Sequence, residues 1–414
     1  MLNRLNKIGV SCYSICMEKL IELYRKKISA TQIDFTRNYE YEINWNARLI
    51  CIRGARGVGK STLLLQHIKR TFSDNLSKAL YVSLDNLYFT EHTLIELAEE
   101  FFKKGGTHLF LDEVHKYPDW SRTIKNLYDD YPELNVVITG SSLLEILNAR
   151  ADLSRRALTY EMQGLSFREY LILKAKESFP IYSLGEILSQ NENLSAEIVS
   201  KIKPFMYFED YLKTGYYPFF LEGEDDYYNR LNETINMILD VELPILRGME
   251  ISCIPKIKKL LSVIGRSAPF IPNVTELASK VGIARQTLLS YFKYLDESKL
   301  IGELFKETRG LGALEKPDKI LLENTNLMYL FDDEKTDIGN IRETFVFNQL
   351  RKAHKIQFSV ESDFLVDGKY TFEVGGKNKK RAQIKEIENS YIVADNIEYG
   401  IDRRIPIWLL GFLY

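Results

Sequence analysis

The chain has 414 residues, of which 45% are hydrophobic, 27% charged and 12% aromatic. This balance excludes collagen-like, low-complexity and largely disordered classes, and at about 100–200 residues per domain the length accommodates several separate cores. Lys+Arg 55 against Asp+Glu 57 leave a formal charge of −2, so no global basic field draws the whole molecule to nucleic acid, and any such contact must be local.

Residues 8–17 are apolar but short and lack a small-residue cleavage site, unlike a secretory leader. Met17 is an equally good start, so residues 1–16 read either as native sequence or as an extension of the reading frame. Residues 17–40 predict a short amphipathic helix and linker. Strand and helix patterns then alternate: strands at 49–53, 79–84, 107–112 and 135–139, helices at 60–72, 93–103 and 120–130. Such alternation predicts a parallel sheet covered on both faces. Residues 164–245 are helical and aromatic-rich, and 255–310 show a compact three-helix pattern. Strand patterns return at 319–322, 370–374, 391–394 and 406–410. The implied division is an N-terminal helix and linker over 1–40, a phosphate-loop core over 41–163, a helical region over 164–250, a winged helix over 251–310 and an α/β domain over 311–414.

Gly54-Ala55-Arg56-Gly57-Val58-Gly59-Lys60-Ser61-Thr62 fits G-x-x-x-x-G-K-[ST] after a predicted strand and at the opening of a helix, the context a phosphate-binding loop requires. Its glycines let successive backbone N–H groups turn around a β-phosphate, and the helix N-terminus adds partial positive charge. Lys60 is expected to bridge the β- and γ-phosphates of ATP, and the Ser61 hydroxyl to ligate Mg²⁺.

The apolar strand His108-Leu109-Phe110-Leu111 ends in Asp112-Glu113. Asp112 at a strand's carboxyl end is expected beside the Mg²⁺, and Glu113 to polarise a water for attack on the γ-phosphate. The next strand ends in Thr139, Ser141 and Ser142. Either Thr139 or Ser141 senses the γ-phosphate, or these hydroxyls cap a helix over 143–148.

The order of residues 54–62, Leu109-Phe110-Leu111-Asp112-Glu113 and Ile138-Thr139-Gly140-Ser141-Ser142 resembles a prokaryotic AAA+-type P-loop ATPase family that carries a C-terminal restriction-endonuclease-like domain. Leu153-Ser154-Arg155-Arg156 and Gly164-Leu165-Ser166-Phe167-Arg168-Glu169-Tyr170-Leu171 extend the likeness, which runs from about residue 40 to the end. By resemblance Arg156 is a γ-phosphate arginine acting in cis or from a neighbouring subunit of a homo-oligomer, with Arg155 where the family has glycine. The other reading of Arg156 is a salt-bridged surface residue.

Residues 275–295 read as two short helices around Gly282, with Thr275 capping the first. Arg285, Gln286, Thr287, Ser290 and Lys293 then face outward on the second, and residues 299–305 suggest a wing strand. The module serves either as a DNA contact or as a lid on the ATPase.

Nucleases of the restriction type place an acid ahead of a strand and Glu-x-Lys on it, to hold a divalent metal. Here Asp363 precedes Glu373, and Glu343 supplies a further acid, but Gly375 stands where lysine is expected and Lys377 is displaced by two positions. The site is therefore expected to be a remnant unless Lys377 folds back. The basic residues between 377 and 385 are either a solvated face or a phosphate-backbone contact for DNA.

Four cysteines, at 12, 16, 51 and 253, are too few for a disulfide scaffold and predict reduced thiols in a cytoplasmic protein. No apolar run approaches the roughly 20 residues of a membrane span, so no membrane partner is expected. The fold class is α/β: a P-loop NTPase parallel sheet, a helical and winged-helix middle and a C-terminal α/β nuclease-like domain. The expected function is an Mg²⁺-dependent ATPase acting as a conformational switch on nucleic acid or a protein partner. The alternatives are an ATP-gated nuclease and a nucleotide-binding scaffold with incidental hydrolysis.

Overall fold

The computed structural model describes residues 17–143, 153, 155–306, 316–331 and 337–414. Cys12, Cys16 and most of the helix expected over 143–148 lie outside the described residues. The chain forms two compact units, 1–162 and 163–414.

The first unit carries a five-stranded parallel sheet of order β2-β3-β4-β1-β5. Its strands are β1 (Leu49–Gly54), β2 (Ala79–Ser83), β3 (His108–Asp112), β4 (Asn135–Ser141) and β5 (Leu158–Met162). β1, β3 and β4 are buried at nearly every position, as strands covered on both faces must be. Its longer described helices are α1 (17–30), α2 (Lys60–Thr71), α3 (Leu94–Lys103) and α4 (Trp120–Asp130). Thr93 opens α3 with a reciprocal capping box to Glu96, which fixes where that helix starts. β5 is an additional strand, absent from the sequence-based expectation. Its first residues are exposed and lack an apolar run, as suits an edge.

In the second unit, helices α5 (Ile254–Ser267), α6 (Val274–Val281) and α7 (Arg285–Glu297) precede an antiparallel pair, β6 (Ile301–Leu304) and β7 (Lys319–Leu322). Gly282 ends α6 in a left-handed conformation, φ 77°, where a side chain would be strained. The cap of α6 is Asn273, whose side chain accepts from the Glu276 amide, and not Thr275, which is exposed.

Helix α8 (Ile338–Leu350) leads into a mixed sheet of order β12-β11-β10-β9-β8. Its strands are β8 (Ile356–Gln357), β9 (Phe364–Val366), β10 (Tyr370–Gly375), β11 (Ser390–Ala394) and β12 (Arg404–Pro406). The strand expected over 406–410 is instead the end of β12 followed by a tight 3₁₀ helix, Ile407–Phe412. Every residue of that helix is buried, so no alternation distinguished helix from strand. Among the described residues no helix is long and apolar enough to cross a membrane, and Cys51 and Cys253 are free thiols.

Candidate nucleotide site

The phosphate loop begins where β1 ends. A Cβ on Gly54 would lie 2.3 Å from the Met162 carbonyl oxygen on β5, so this position requires glycine. Gly57 and Gly59 adopt positive φ, 85° and 97°, and Gly59 is the residue that turns the chain into α2. The Lys60 ammonium is buried and donates to the carbonyls of Gly54 and Ala55, each at 2.9 Å. Val58 is fully buried, and its carbonyl accepts from buried Arg37 at 2.8 Å. Arg37 thereby braces the loop from outside the motif. Arg56, Gly57 and Ser61 are partly exposed on the loop, and Thr62 is exposed on the first turn of α2.

Asp112 ends β3 and is 3% exposed. Its Oδ2 accepts from the Tyr81 hydroxyl at 2.6 Å, and its Oδ1 from the Thr139 hydroxyl. The Ser61 hydroxyl lies near the same Tyr81 phenol. Burial, aided by the Asp112 charge, holds that phenol well above its ordinary pKa, so it stays a neutral donor. Glu113 takes a left-handed backbone conformation, φ 55°. Its amide donates to the Thr139 hydroxyl at 3.3 Å, and its carboxylate lies 3.3 Å from His115 Nε2. Ser141 pairs in register with Gly54, and its hydroxyl accepts from the Leu143 amide at 3.4 Å. Thr139 therefore holds the acid pair, while Ser141 stands at the mouth of the loop.

Gly54, Lys60, Ser61, Asp112, Glu113 and Ser141 thus gather at the carboxyl edge of one sheet. Arg156 does not join them. It precedes β5 at the amino edge of the parallel sheet and forms a bidentate pair with Asp129, at 3.0 and 3.1 Å. A strand of five residues spans roughly 16 Å, so the cis alternative for Arg156 does not fit this geometry. Sequence reasoning missed Arg37 and Tyr81; both read there as linker and core residues, and only the strand register reveals the second.

In the second unit, Glu343 on α8 pairs with Lys319, and burial raises its pKa, with Asp363 and Glu373 adding to the effect. Asp363 accepts from the Val374 amide at 2.7 Å. Glu373 is buried and pairs at 2.6 Å with Lys379. Lys377, whose folding back would have completed the motif, is not the lysine that reaches Glu373. The strand ends at Gly375, the chain turns through a Lys379 amide to Gly376 carbonyl bond of 2.9 Å, and strand alternation no longer counts residues correctly. Arg404 pins this turn by donating to the carbonyls of Lys377 at 2.5 Å and Lys379 at 2.6 Å. Among the described residues no cluster of three or more acids, histidines or cysteines is arranged to hold a metal ion.

Residues 46–171 match a protein-family model described as an AAA domain. Two Methanocaldococcus jannaschii proteins, each carrying the name uncharacterized protein, are similar to the chain. One is 29% identical over 281 residues, 64% of this chain and 58% of its own length. The other is 24% identical over 381 residues, 84% of this chain and 80% of its own length. The match therefore spans less than two thirds of the first relative. Among solved structures, AMPPCP-bound DnaA from Aquifex aeolicus aligns at 15% identity with a TM-score of 0.26, covering 63% of this chain and 85% of that one. The Hsp104–ADP complex of S. cerevisiae aligns at 16% identity with a TM-score of 0.24, covering 66% and 38%. The five-stranded parallel sheet with its phosphate loop is a P-loop NTPase fold, and the segment that carries it is similar to AAA-type ATPase domains.

Proposed function

We propose that the first unit binds ATP with Mg²⁺ at the carboxyl edge of its sheet and hydrolyses it, and that the cycle switches the conformation of the protein on a nucleic acid or protein partner. One observation carries this reading: Asp112 is buried, and its two hydrogen-bond donors are neutral hydroxyls. A buried carboxylate without a cationic partner is costly, and a hard divalent cation shared with the Ser61 hydroxyl, water and phosphate oxygens would compensate it. Mg²⁺ held there supplies charge neutralisation of the β- and γ-phosphates.

The remaining roles fall to the chain's own groups. The Lys60 ammonium exchanges the Gly54 and Ala55 carbonyls for phosphate oxygens. Loop amides from residues 55–62 cradle the phosphates. Glu113 orients and polarises the attacking water, with His115 close enough to hold its carboxylate. Ser141 is placed to contact the γ-phosphate. Arg156 serves a neighbouring copy in a homo-oligomer, since its position at the opposite sheet edge suits a partner's site better than its own.

For the second unit we infer a winged helix over 251–310 extended by β7, and a restriction-endonuclease-like domain from α8 onward. Gly375 in place of the motif's lysine favours a binding domain over a cutting one, while the pairing of Lys379 with Glu373 is the observation on the side of cutting. DNA contact through Arg285, Gln286 and Lys293 or through the 377–385 run remains the nucleic-acid form of this reading. Phosphate release measured with and without DNA, RNA and cell extract tests the switch, because the activator names the partner. No stimulation by any of them would leave the switch without a target and favour the scaffold. Metal-dependent cutting of DNA lost in Glu373→Ala would overturn the inert assignment.

A further inference from the structure

Tyr81 stands on β2, which pairs with β3 so that Ser83 lies opposite Asp112 and Tyr81 opposite Phe110. Side chains two apart on a strand share a face, so Tyr81 and Ser83 project to the same side of the sheet as Asp112. The Tyr81 ring spans the two-residue offset, and its hydroxyl ends 2.6 Å from Asp112 Oδ2. Thr139 reaches the other carboxylate oxygen from β4, the strand on the opposite side of β3. The carboxylate is therefore gripped from both neighbouring strands, one donor per oxygen, and each oxygen keeps lone pairs for a further contact. With Ser61 near the same phenol, the Tyr81 hydroxyl bonds one of the groups assigned to the metal and stands beside the other.

We propose that Tyr81 is the positioning residue of the magnesium site: its hydroxyl sets the orientation of Asp112 before the cation arrives. This rests on the assignment of Ser61 and Asp112 as the Mg²⁺ ligands. Groups that orient metal ligands through hydrogen bonds contribute about 10–100-fold in metal affinity. A phenylalanine at 81 keeps the ring and its burial and removes the donor alone. Lys60 and the loop amides, which bind phosphates without the metal, are untouched by that change.

The test is binding of a fluorescent ADP analogue by wild type, Tyr81→Phe and Asp112→Ala, in EDTA and along a Mg²⁺ titration, with Mn²⁺ bound to each protein–ADP complex counted by electron paramagnetic resonance. Thermal melting of each variant checks the fold. The expected result is unchanged affinity in EDTA for Tyr81→Phe, together with a Mg²⁺ midpoint and a Mn²⁺ affinity shifted at least about tenfold toward those of Asp112→Ala. If wild type and Asp112→Ala differ while Tyr81→Phe tracks wild type, the role of Tyr81 is overturned and the ligand assignment stands. If Mg²⁺ leaves wild-type nucleotide binding unchanged, the ligand assignment falls, and Tyr81 with it.

Discussion

The Lys379 ammonium lies 2.6 Å from the buried Glu373 carboxylate, and it reaches that position across Gly375. A Cβ at 375 would come within 2.8 Å of the Lys379 side chain. The missing side chain and the displaced lysine are thus two parts of one arrangement. Gly375→Ala is expected to drive Lys379 off Glu373 and leave a buried carboxylate unpaired, at a cost of about 1–3 kcal/mol. Urea denaturation measures this, and Glu373→Gln in the same background should recover most of it. Equal stability of Gly375→Ala and wild type would show that Lys379 can pair by another route.

Arg156 and Glu113 sit at opposite edges of one sheet, so each can serve the same reaction only from different copies. Arg156→Ala and Glu113→Gln are each expected to lose phosphate release, the first by about 10³-fold if it acts as a transition-state arginine. Mixing the two inactive proteins should restore part of the rate, because one interface in the mixed assembly joins an intact Glu113 site to an intact Arg156. A mixture as inactive as its components would return Arg156 to its pair with Asp129 and no more.

Asn326 is fully buried in the second unit and uses its whole side-chain amide. Its Oδ1 accepts from the Tyr216 amide at 2.8 Å and the Tyr227 hydroxyl at 2.5 Å. Its Nδ2 donates to the carbonyls of Leu212 at 2.8 Å and Tyr211 at 3.2 Å. Asn326→Ala leaves several buried polar groups without partners, and a loss of about 3 kcal/mol or more is expected in chemical denaturation. Asn326→Asp should be no milder, since it removes both donors and buries a charge.

Burial, with Asp296 and Glu297 close by, pushes the Glu303 carboxyl up to about 8 from 4.5. Between these values the unfolded chain has released the proton and the folded chain still holds it, so this residue's contribution to stability falls as pH rises through the window. Glu303→Gln carries no proton to lose. It is expected to melt above wild type at pH values above about 8, by a few degrees, with the difference shrinking as pH falls toward 4.5. A pH-independent difference would contradict the shift.

The phosphate loop was legible in the sequence because its chemistry needs glycine and lysine at fixed backbone positions, and Asp112 because a buried strand leads directly to it. Tyr81 was not, because a tyrosine in an apolar strand reads as core until the β2–β3 register places its hydroxyl on Asp112. β5 was hidden by exposed residues such as Leu158, 44% exposed, on the open edge beside β1. Arg156 was placed by family likeness and not by geometry, and so its distance from its own phosphate loop could not be read. Lys379 was not considered beside Glu373, because strand alternation stops at Gly375 where the chain turns.

Hydrolysis of Mg-ATP at the edge formed by Lys60, Asp112 and Glu113 is the activity proposed for the first unit. Phosphate release and nucleotide affinity of wild type and Glu113→Gln, measured side by side with Mg²⁺, test it most directly. The expected result is retained ATP binding with release reduced at least about 100-fold, as removal of a general base produces. Equal release by the two proteins would contradict the assignment of Glu113 and with it the proposed mechanism.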